Sequence, residues 1–142
     1  MGQHILVPFD GSPQATAALE YALDTFPDGE VTVLNVIHLG ERDLDYQTEV
    51  VGFNENWYEN ATEYAEEVVA AAADLATEAG ATVETVTEFG RPSRTIVDYV
   101  EEHDVDHVVM GSHGRQGVSR VLIGSVAETV VRRSPVPVTV VR

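Results

Sequence analysis

The sequence predicts one α/β domain, in which a five-stranded parallel sheet is covered by helices on both faces. Its length of 142 residues suits a single domain. Five short runs rich in β-branched residues recur along it, at residues 5–9, 31–37, 82–87, 107–110 and 136–141. Most are continuously apolar, which is typical of strands buried on both faces, and helical patterns separate them.

The first helix is predicted by apolar residues that repeat at intervals of three and four: Ala15, Ala18, Leu19, Ala22 and Leu23. Ser12 precedes it and offers an N-cap oxygen. Pro13 then suits the first helical position, where its missing N–H costs no hydrogen bond. We therefore expect the helix to begin directly after Ser12.

Three further helices follow from similar patterns. An apolar stripe over residues 61–79 predicts the second, and Gly80 is a suitable stop. Pro92 opens the third, which directs Ile96, Val97 and Val100 inward. The fourth runs from about Ser125 to Arg133, before Pro135 and Pro137. Strands and helices thus alternate throughout, and residues 38–54 form the one long connection, which we expect to be the most mobile segment.

Composition limits the function classes. The net charge is −16, with 24 acidic residues, eight arginines and no lysine, so we expect no nucleic-acid partner. One reading of such a surface is solubility alone, but an acid-rich, lysine-free composition resembles proteins of extreme halophiles, and we favour adaptation to molar salt. The absence of cysteine excludes disulfides, thiolate metal sites and cysteine nucleophiles. With no export signal and no long apolar run, we expect a cytoplasmic protein without a membrane partner.

The charges are unevenly distributed. Residues 1–90 hold 18 acids and only Arg42, whereas residues 91–142 hold seven arginines against six acids. A phosphate site is therefore expected in the C-terminal part.

That part contains a glycine-spaced loop. Gly111, Ser112, His113 and Gly114 follow the fourth strand, and Gly124 and Ser125 come after nine further residues. Glycines let consecutive N–H groups approach an anion, and the amides that begin the next helix favour phosphate. A structural reading is also available, because Ser125 and Glu128 have the spacing of a capping box, and the two readings are compatible. The pattern is not a Walker loop, since it has no lysine.

Asp10 stands at the end of the first strand. It is either an ordinary turn aspartate or, if the first and fourth strands are neighbours, a carboxylate that accepts hydrogen bonds from ribose hydroxyls.

These segments together resemble the ATP-binding branch of the universal stress protein family, over nearly the whole chain. The matching residues are those from Ile5 to Ser12, the triplet Gly90, Arg91 and Pro92, and the glycine spacing that ends at Ser125. The resemblance implies an adenine nucleotide alpha-hydrolase-like sheet in the order 3-2-1-4-5 and a homodimer formed through residues 136–141. It also implies ATP as the ligand, with Mg²⁺ or Mn²⁺ carried by its phosphates and no metal site on the protein itself.

Carried over by position, the resemblance makes Asp10 the ribose partner and places Pro8, the Val36 backbone and Met110 around the adenine. The phosphate loop then comprises Gly111, His113, Gly114, Arg115, Gly124, Ser125 and Val126. For His113, loop filler and phosphate contact remain equal alternatives. The connection over residues 38–54 matches no motif.

Other features are weaker. We expect His103 and His107 to be surface histidines rather than metal ligands. Trp57, Tyr58 and Tyr64 could form a partner surface, but aromatic residues at helical spacing more often belong to a core. The apolar last strand would leave an edge that recruits another chain, which again favours a homodimer.

No constellation for fast hydrolysis is present, so we expect binding or at most slow turnover. The resemblance to the universal stress proteins implies that an ATP-binding chain of this kind is a regulatory or stress-response module. The alternative is a slow ATP-hydrolysing or adenylyl-transfer enzyme of the same superfamily. A receiver-like phosphoacceptor domain is disfavoured because it would need a lysine.

Overall fold

The computed structural model describes residues 2–38, 55–112 and 123–142. The elements, in chain order, are β1 (His4–Pro8), α1 (Pro13–Thr25), β2 (Glu30–His38), α2 (Glu55–Glu78), β3 (Val83–Gly90), α3 (Pro92–Glu102), β4 (His107–Gly111), α4 (Ser125–Arg133) and β5 (Val138–Val141).

The strands form one five-stranded sheet in the order β3-β2-β1-β4-β5. Every pairing in it is parallel, with Ile5 opposite Val31 on one side of β1 and opposite His107 on the other. The predicted fold class and strand order are therefore confirmed. The winding reverses between β1 and β4, which makes their carboxyl ends the edge where such sheets bind ligands.

Two apolar cores lie on opposite faces of the sheet. Alternate side chains along β1 and the residue after it contribute to the two cores, because successive strand side chains point to opposite faces. Ile5, Val7 and Phe9 pack with α1 and α2, whereas Leu6 packs with α3 and α4. The continuous apolar runs of the sequence follow from this two-sided burial.

The helix boundaries have local causes. The Ser12 hydroxyl accepts a hydrogen bond of 3.1 Å from the Ala15 amide, so the predicted cap of α1 is confirmed. After α2, Gly80 adopts φ +80°, and the Ala81 amide bonds the Ala76 carbonyl at 2.8 Å. This left-handed glycine ends the helix as expected.

Some boundaries differ from the prediction. β3 continues to Gly90, where the sequence indicated an end at Thr87, because all eight of its residues pair with β2. β5 begins at Val138, not Val136, since Pro137 lacks an N–H for the ladder. The expectation that the aromatic residues of α2 belong to the core was wrong for two of them: Tyr58 is 55% exposed and Tyr64 is 51% exposed.

Within the described residues, no helix is both long enough and apolar enough to cross a bilayer.

Candidate functional site

Asp10 lies two residues beyond β1, in the tight link to α1. Its Oδ1 accepts a hydrogen bond of 2.9 Å from the Ser12 amide, which is the turn role foreseen as the simpler alternative. Gly11 between them has φ +83°, a conformation that favours glycine. The carboxylate is therefore held at the carboxyl edge of the sheet by its own turn and by the capped helix that follows.

The neighbouring strand β4 ends beside this link. A Cβ added at Gly111 would lie 2.7 Å from Cβ of Gln14 and 2.9 Å from its carbonyl carbon, so glycine is required where β4 passes the first turn of α1. The end of β4 and the Asp10 turn thus lie at one edge of the sheet.

Ser112 joins the two ends of the glycine-spaced segment. It is 4% exposed, its amide donates to the Val141 carbonyl at 2.8 Å, and its carbonyl accepts from the Gly124 amide at 2.7 Å. The start of α4 is therefore held against the end of β4, although eleven residues separate Ser112 from Gly124.

The N-terminus of α4 is not closed by a capping box. Gly124 is the N-cap and makes no side-chain cap, while Ser125 is already the first helical residue. Glu128 instead bonds Arg132 at 3.2 Å. The capping-box alternative was wrong, because Ser112 holds Gly124 in the N-cap position and shifts Ser125 one place inward. The first amides of α4 keep the polarity that favours an anion.

The residues expected around adenine lie on the α3 and α4 side of the sheet. Met110 belongs to the apolar core there, 5% exposed, and the half-buried Val36 packs against the same core. Pro8 ends β1 opposite Leu34.

Gly90, Arg91 and Pro92 form the link from β3 to α3. Gly90 has φ +150°, and a Cβ there would come within 2.5 Å of Thr95 Oγ1. Arg91 is the N-cap of α3 and Pro92 its first residue. The triplet therefore has a structural reason that is independent of any ligand.

Most of the predicted site residues lie at the carboxyl edge of the sheet. They are Pro8, Asp10, Val36, Met110, Gly111, Gly124, Ser125 and Val126. His113, Gly114 and Arg115 lie outside the described residues, as does the connection after His38 up to residue 54.

Sequence reasoning missed two residues of this region. Ser112 is part of the glycine motif without a predicted role of its own, and no motif includes Asn35. Asn35 is 8% exposed and its Nδ2 donates to the Phe9 carbonyl at 2.8 Å. The available signal was a polar residue within an apolar strand, since buried polar groups are normally hydrogen-bonded.

A groove of about 510 Å³ lies between α1 and α2, next to Gly11. Phe9 and Val68 contribute apolar walls, but Glu67, Asp74 and Glu78 also line it. Three carboxylates would repel a triphosphate, so this groove is not the phosphate site despite its closeness to Asp10.

The two histidines that follow α3 have structural contacts. His103 is exposed, and its ring stacks on Tyr99 with centroids 3.8 Å apart. His107 is half-buried, where Nε2 shares a hydrogen bond of 2.8 Å with Thr139 Oγ1. Burial lowers the pKa of His107. The pKa of Tyr99 is raised, mainly by burial and to a smaller extent by the negative charges of Glu84 and Glu88. His107 is the first residue of β4, so its shift lies at the end of the strand opposite to the candidate site.

A doubly wound parallel sheet with a carboxylate after β1 and a helix N-terminus after β4 defines an open α/β protein, in which the carboxyl edge of the sheet is the usual place for a ligand. The universal stress protein family model matches residues 1–142, and the chain belongs to that family. A protein of Staphylococcus haemolyticus, named as a universal stress protein, is 33% identical over 144 residues, which cover 99% of this chain and 84% of the relative.

Solved structures agree on the fold. The structure of the hypothetical protein MJ0577, from which a biochemical function was assigned to that protein, matches this chain with a TM-score of 0.83 and 32% identity, covering 99% of this chain and 96% of the other. More distant structures with the same fold include a universal stress protein in complex with cAMP, at TM-score 0.66 and 24% identity. Another comes from Arabidopsis thaliana with AMP bound, at TM-score 0.67 and 17% identity.

Proposed function

We propose that this chain is an ATP-binding regulatory module of the stress response, located in the cytoplasm, which holds the nucleotide at the carboxyl edge between β1 and β4. The observation that carries the proposal is the N-terminus of α4, where Gly124 leaves the first helical amides without a side-chain cap. Adenine nucleotides in two proteins of the same fold support the ligand class.

Each part of the nucleotide has chemically suitable residues at this edge. Val36 and Met110 offer apolar surroundings for adenine, and the Asp10 carboxylate suits ribose hydroxyls. The amides of Ser125 and Val126 suit phosphates, because Gly124 as the N-cap precedes them and its own amide is bonded to Ser112. His113, Gly114 and Arg115 are the further residues that the resemblance assigns to the phosphate loop. Hydrogen bonds to charged groups contribute about 1.5 to 3 kcal/mol each, so a few of them reach the roughly 8 kcal/mol of micromolar binding without lysine. Mg²⁺ or Mn²⁺ would be carried by the phosphates.

Ser125→Pro tests the helix amide directly. Ser125 is the first helical residue and Gly124 has φ −64° and ψ 161°, a conformation that tolerates a following proline. The substitution therefore removes one N–H while the helix stays intact. We expect ATP affinity, measured by calorimetry in molar KCl, to fall about 10-fold to 100-fold, the contribution of one charge-assisted bond.

Ser125→Ala is the matched control, since it removes the hydroxyl and keeps the amide. It should bind ATP as the unmodified chain does. If Ser125→Pro binds ATP as tightly as the unmodified chain, the N-terminus of α4 is not part of the site. If the unmodified chain itself shows no saturable ATP binding, the proposal fails. Chromatography of the products in the same samples distinguishes binding from the slow hydrolysis or adenylyl transfer of a related enzyme.

We further propose that the active assembly is a homodimer joined through β5. The described sheet has two edges, and they differ in chemistry. β3 presents Glu84 and Thr85 to solvent, whereas all four residues of β5, from Val138 to Val141, are partly exposed and three are valines. Charged side chains protect an edge strand, while an apolar edge recruits another chain.

Lysine substitutions on the two edges test this proposal. Val140→Lys places a charge on β5, at a residue that belongs to neither apolar core. Thr85→Lys introduces the same charged side chain on β3. By sedimentation, Val140→Lys should be monomeric and Thr85→Lys dimeric. A dimer in both variants would exclude β5 as the interface.

A further inference from the structure

The amide of Asn35 holds the peptide that precedes Asp10. The ladder between β1 and β2 ends where Pro8 pairs with Leu34. Beyond it, the Phe9 amide donates to the Leu34 carbonyl at 2.8 Å, and the Phe9 carbonyl accepts from Asn35 Nδ2 at 2.8 Å. Both backbone polar groups of Phe9 are thus hydrogen-bonded to β2, the amide to its main chain and the carbonyl to a side chain.

This bond fixes the direction from which the Asp10 side chain departs. The Phe9 carbonyl belongs to the same planar peptide unit as the Asp10 amide, so orienting that oxygen orients the plane. Asp10 then bonds the Ser12 amide, and Ser12 caps α1. A continuous series of bonds therefore runs from the buried strand β2 through Phe9 to the carboxylate and the helix.

An asparagine is costly at this place in the sheet. Asn35 is 8% exposed and lies between Leu34 and Val36, in a strand where β-branched residues fit better. A buried amide is tolerated when it is hydrogen-bonded. A valine here would suit the strand but would leave the Phe9 carbonyl without this donor.

We infer that Asn35 is a positioning residue for the sugar of the nucleotide: through the Phe9 carbonyl it orients the Asp10 carboxylate toward the ribose hydroxyls. The inference rests on the proposed function. According to this inference, the buried Asn35 of β2 contributes to the preference of the site for a sugar that carries hydroxyl groups.

The test compares ATP with 2′,3′-dideoxy-ATP, which lacks both ribose hydroxyls. Asn35→Leu keeps the approximate size of the side chain and removes the donor. We expect the ratio of the two affinities to fall about tenfold, the equivalent of one hydrogen bond. Asp10→Ala should abolish the preference, and the double variant should match Asp10→Ala alone, because Asn35 acts through Asp10.

Thr32→Val is the matched control. Thr32 is also a buried polar residue of β2, 2% exposed, and its Oγ1 bonds His4 Nε2 at 2.9 Å toward the other end of the strand. It should lower stability and leave the affinity ratio unchanged. A purely structural role of Asn35 predicts that Asn35→Leu behaves like Thr32→Val, and that result would overturn the inference.

The outcomes separate the two levels of the proposal. If Asp10→Ala abolishes the sugar preference and Asn35→Leu does not alter it, only the inference fails. If the unmodified chain binds both nucleotides equally, the ribose role of Asp10 fails as well. Should Asn35→Leu not fold, the NMR signal of the Asn35 side-chain amide in the unmodified chain decides: it should shift with ATP more than with the dideoxy nucleotide, and equal shifts would refute the positioning role.

Discussion

Alanine at Gly111 should destabilise the protein because β4 passes too close to α1 for a side chain. An added Cβ would lie 2.7, 2.9 and 3.0 Å from three atoms of Gln14, two of which belong to the backbone. Gln14 lies in the first turn of α1, which the Ser12 cap holds in place. The strand and the helix would therefore have to separate by several tenths of an ångström.

The sign of the effect tests the reasoning. Gly111 is not among the described glycines with positive φ, so its backbone conformation is open to alanine. Without a clash, the substitution would stabilise the protein by about 0.4 to 1 kcal/mol, because it restricts the unfolded chain. Overpacking costs about 1 to 3 kcal/mol, so at the middle of both ranges the net loss is about 1.3 kcal/mol.

Thermal and urea unfolding measure this loss. For a domain of this size, 1 kcal/mol corresponds to about 3 to 4 °C, so the melting temperature should fall by roughly 4 to 5 °C. Gly80→Ala is an informative comparison, since Gly80 has φ +80° and no atom within 4 Å of the added Cβ, and its cost is conformational alone. A melting temperature of Gly111→Ala equal to or above that of the unmodified chain would refute the steric argument.

Two further predictions concern the α1 cap and the half-buried His107. Ser12→Ala should lower the free energy of unfolding, measured by urea titration, by about 0.5 to 2 kcal/mol, since the Ala15 amide loses its acceptor. Thr77→Ala is the control: it removes an exposed hydroxyl bonded to the Ala73 carbonyl and should lower that free energy much less. Burial lowers the pKa of His107, so the unfolded chain binds its proton more readily. The histidine's contribution to stability is thus complete above its ordinary pKa of 6.5 and is lost as the pH falls below that value. His107→Gln should reduce the decline in urea midpoint below that pH, and an unchanged decline would contradict this assignment.

Much of the fold could be predicted from the sequence because local patterns encode it. The continuous apolar runs indicated strands buried on both faces, and the two cores that share β1 are the reason for that pattern. Ser12 and Gly80 marked the ends of helices because their roles depend only on neighbouring backbone groups. The glycine spacing and Asp10 suggested one crevice only after resemblance supplied the strand order.

The errors arose where distant residues decide the outcome. Ser125 and Glu128 have capping-box spacing, but Ser112 bonds Gly124 and moves the cap by one residue. Tyr58 has helical spacing typical of a core residue, yet it stacks on Phe89 of the edge strand with ring centroids 5.1 Å apart and remains 55% exposed. In both cases the competing contact comes from another element.

The sequence by itself determined which segments become strands and helices and where the first helix begins, since those choices depend on periodicity and on groups within a few residues. Only the tertiary structure decided that Asn35 reaches the Phe9 carbonyl and that Gly124, not Ser125, caps α4. Hydrogen bonds between separate strands and loops depend on sheet order and register, which no local pattern specifies.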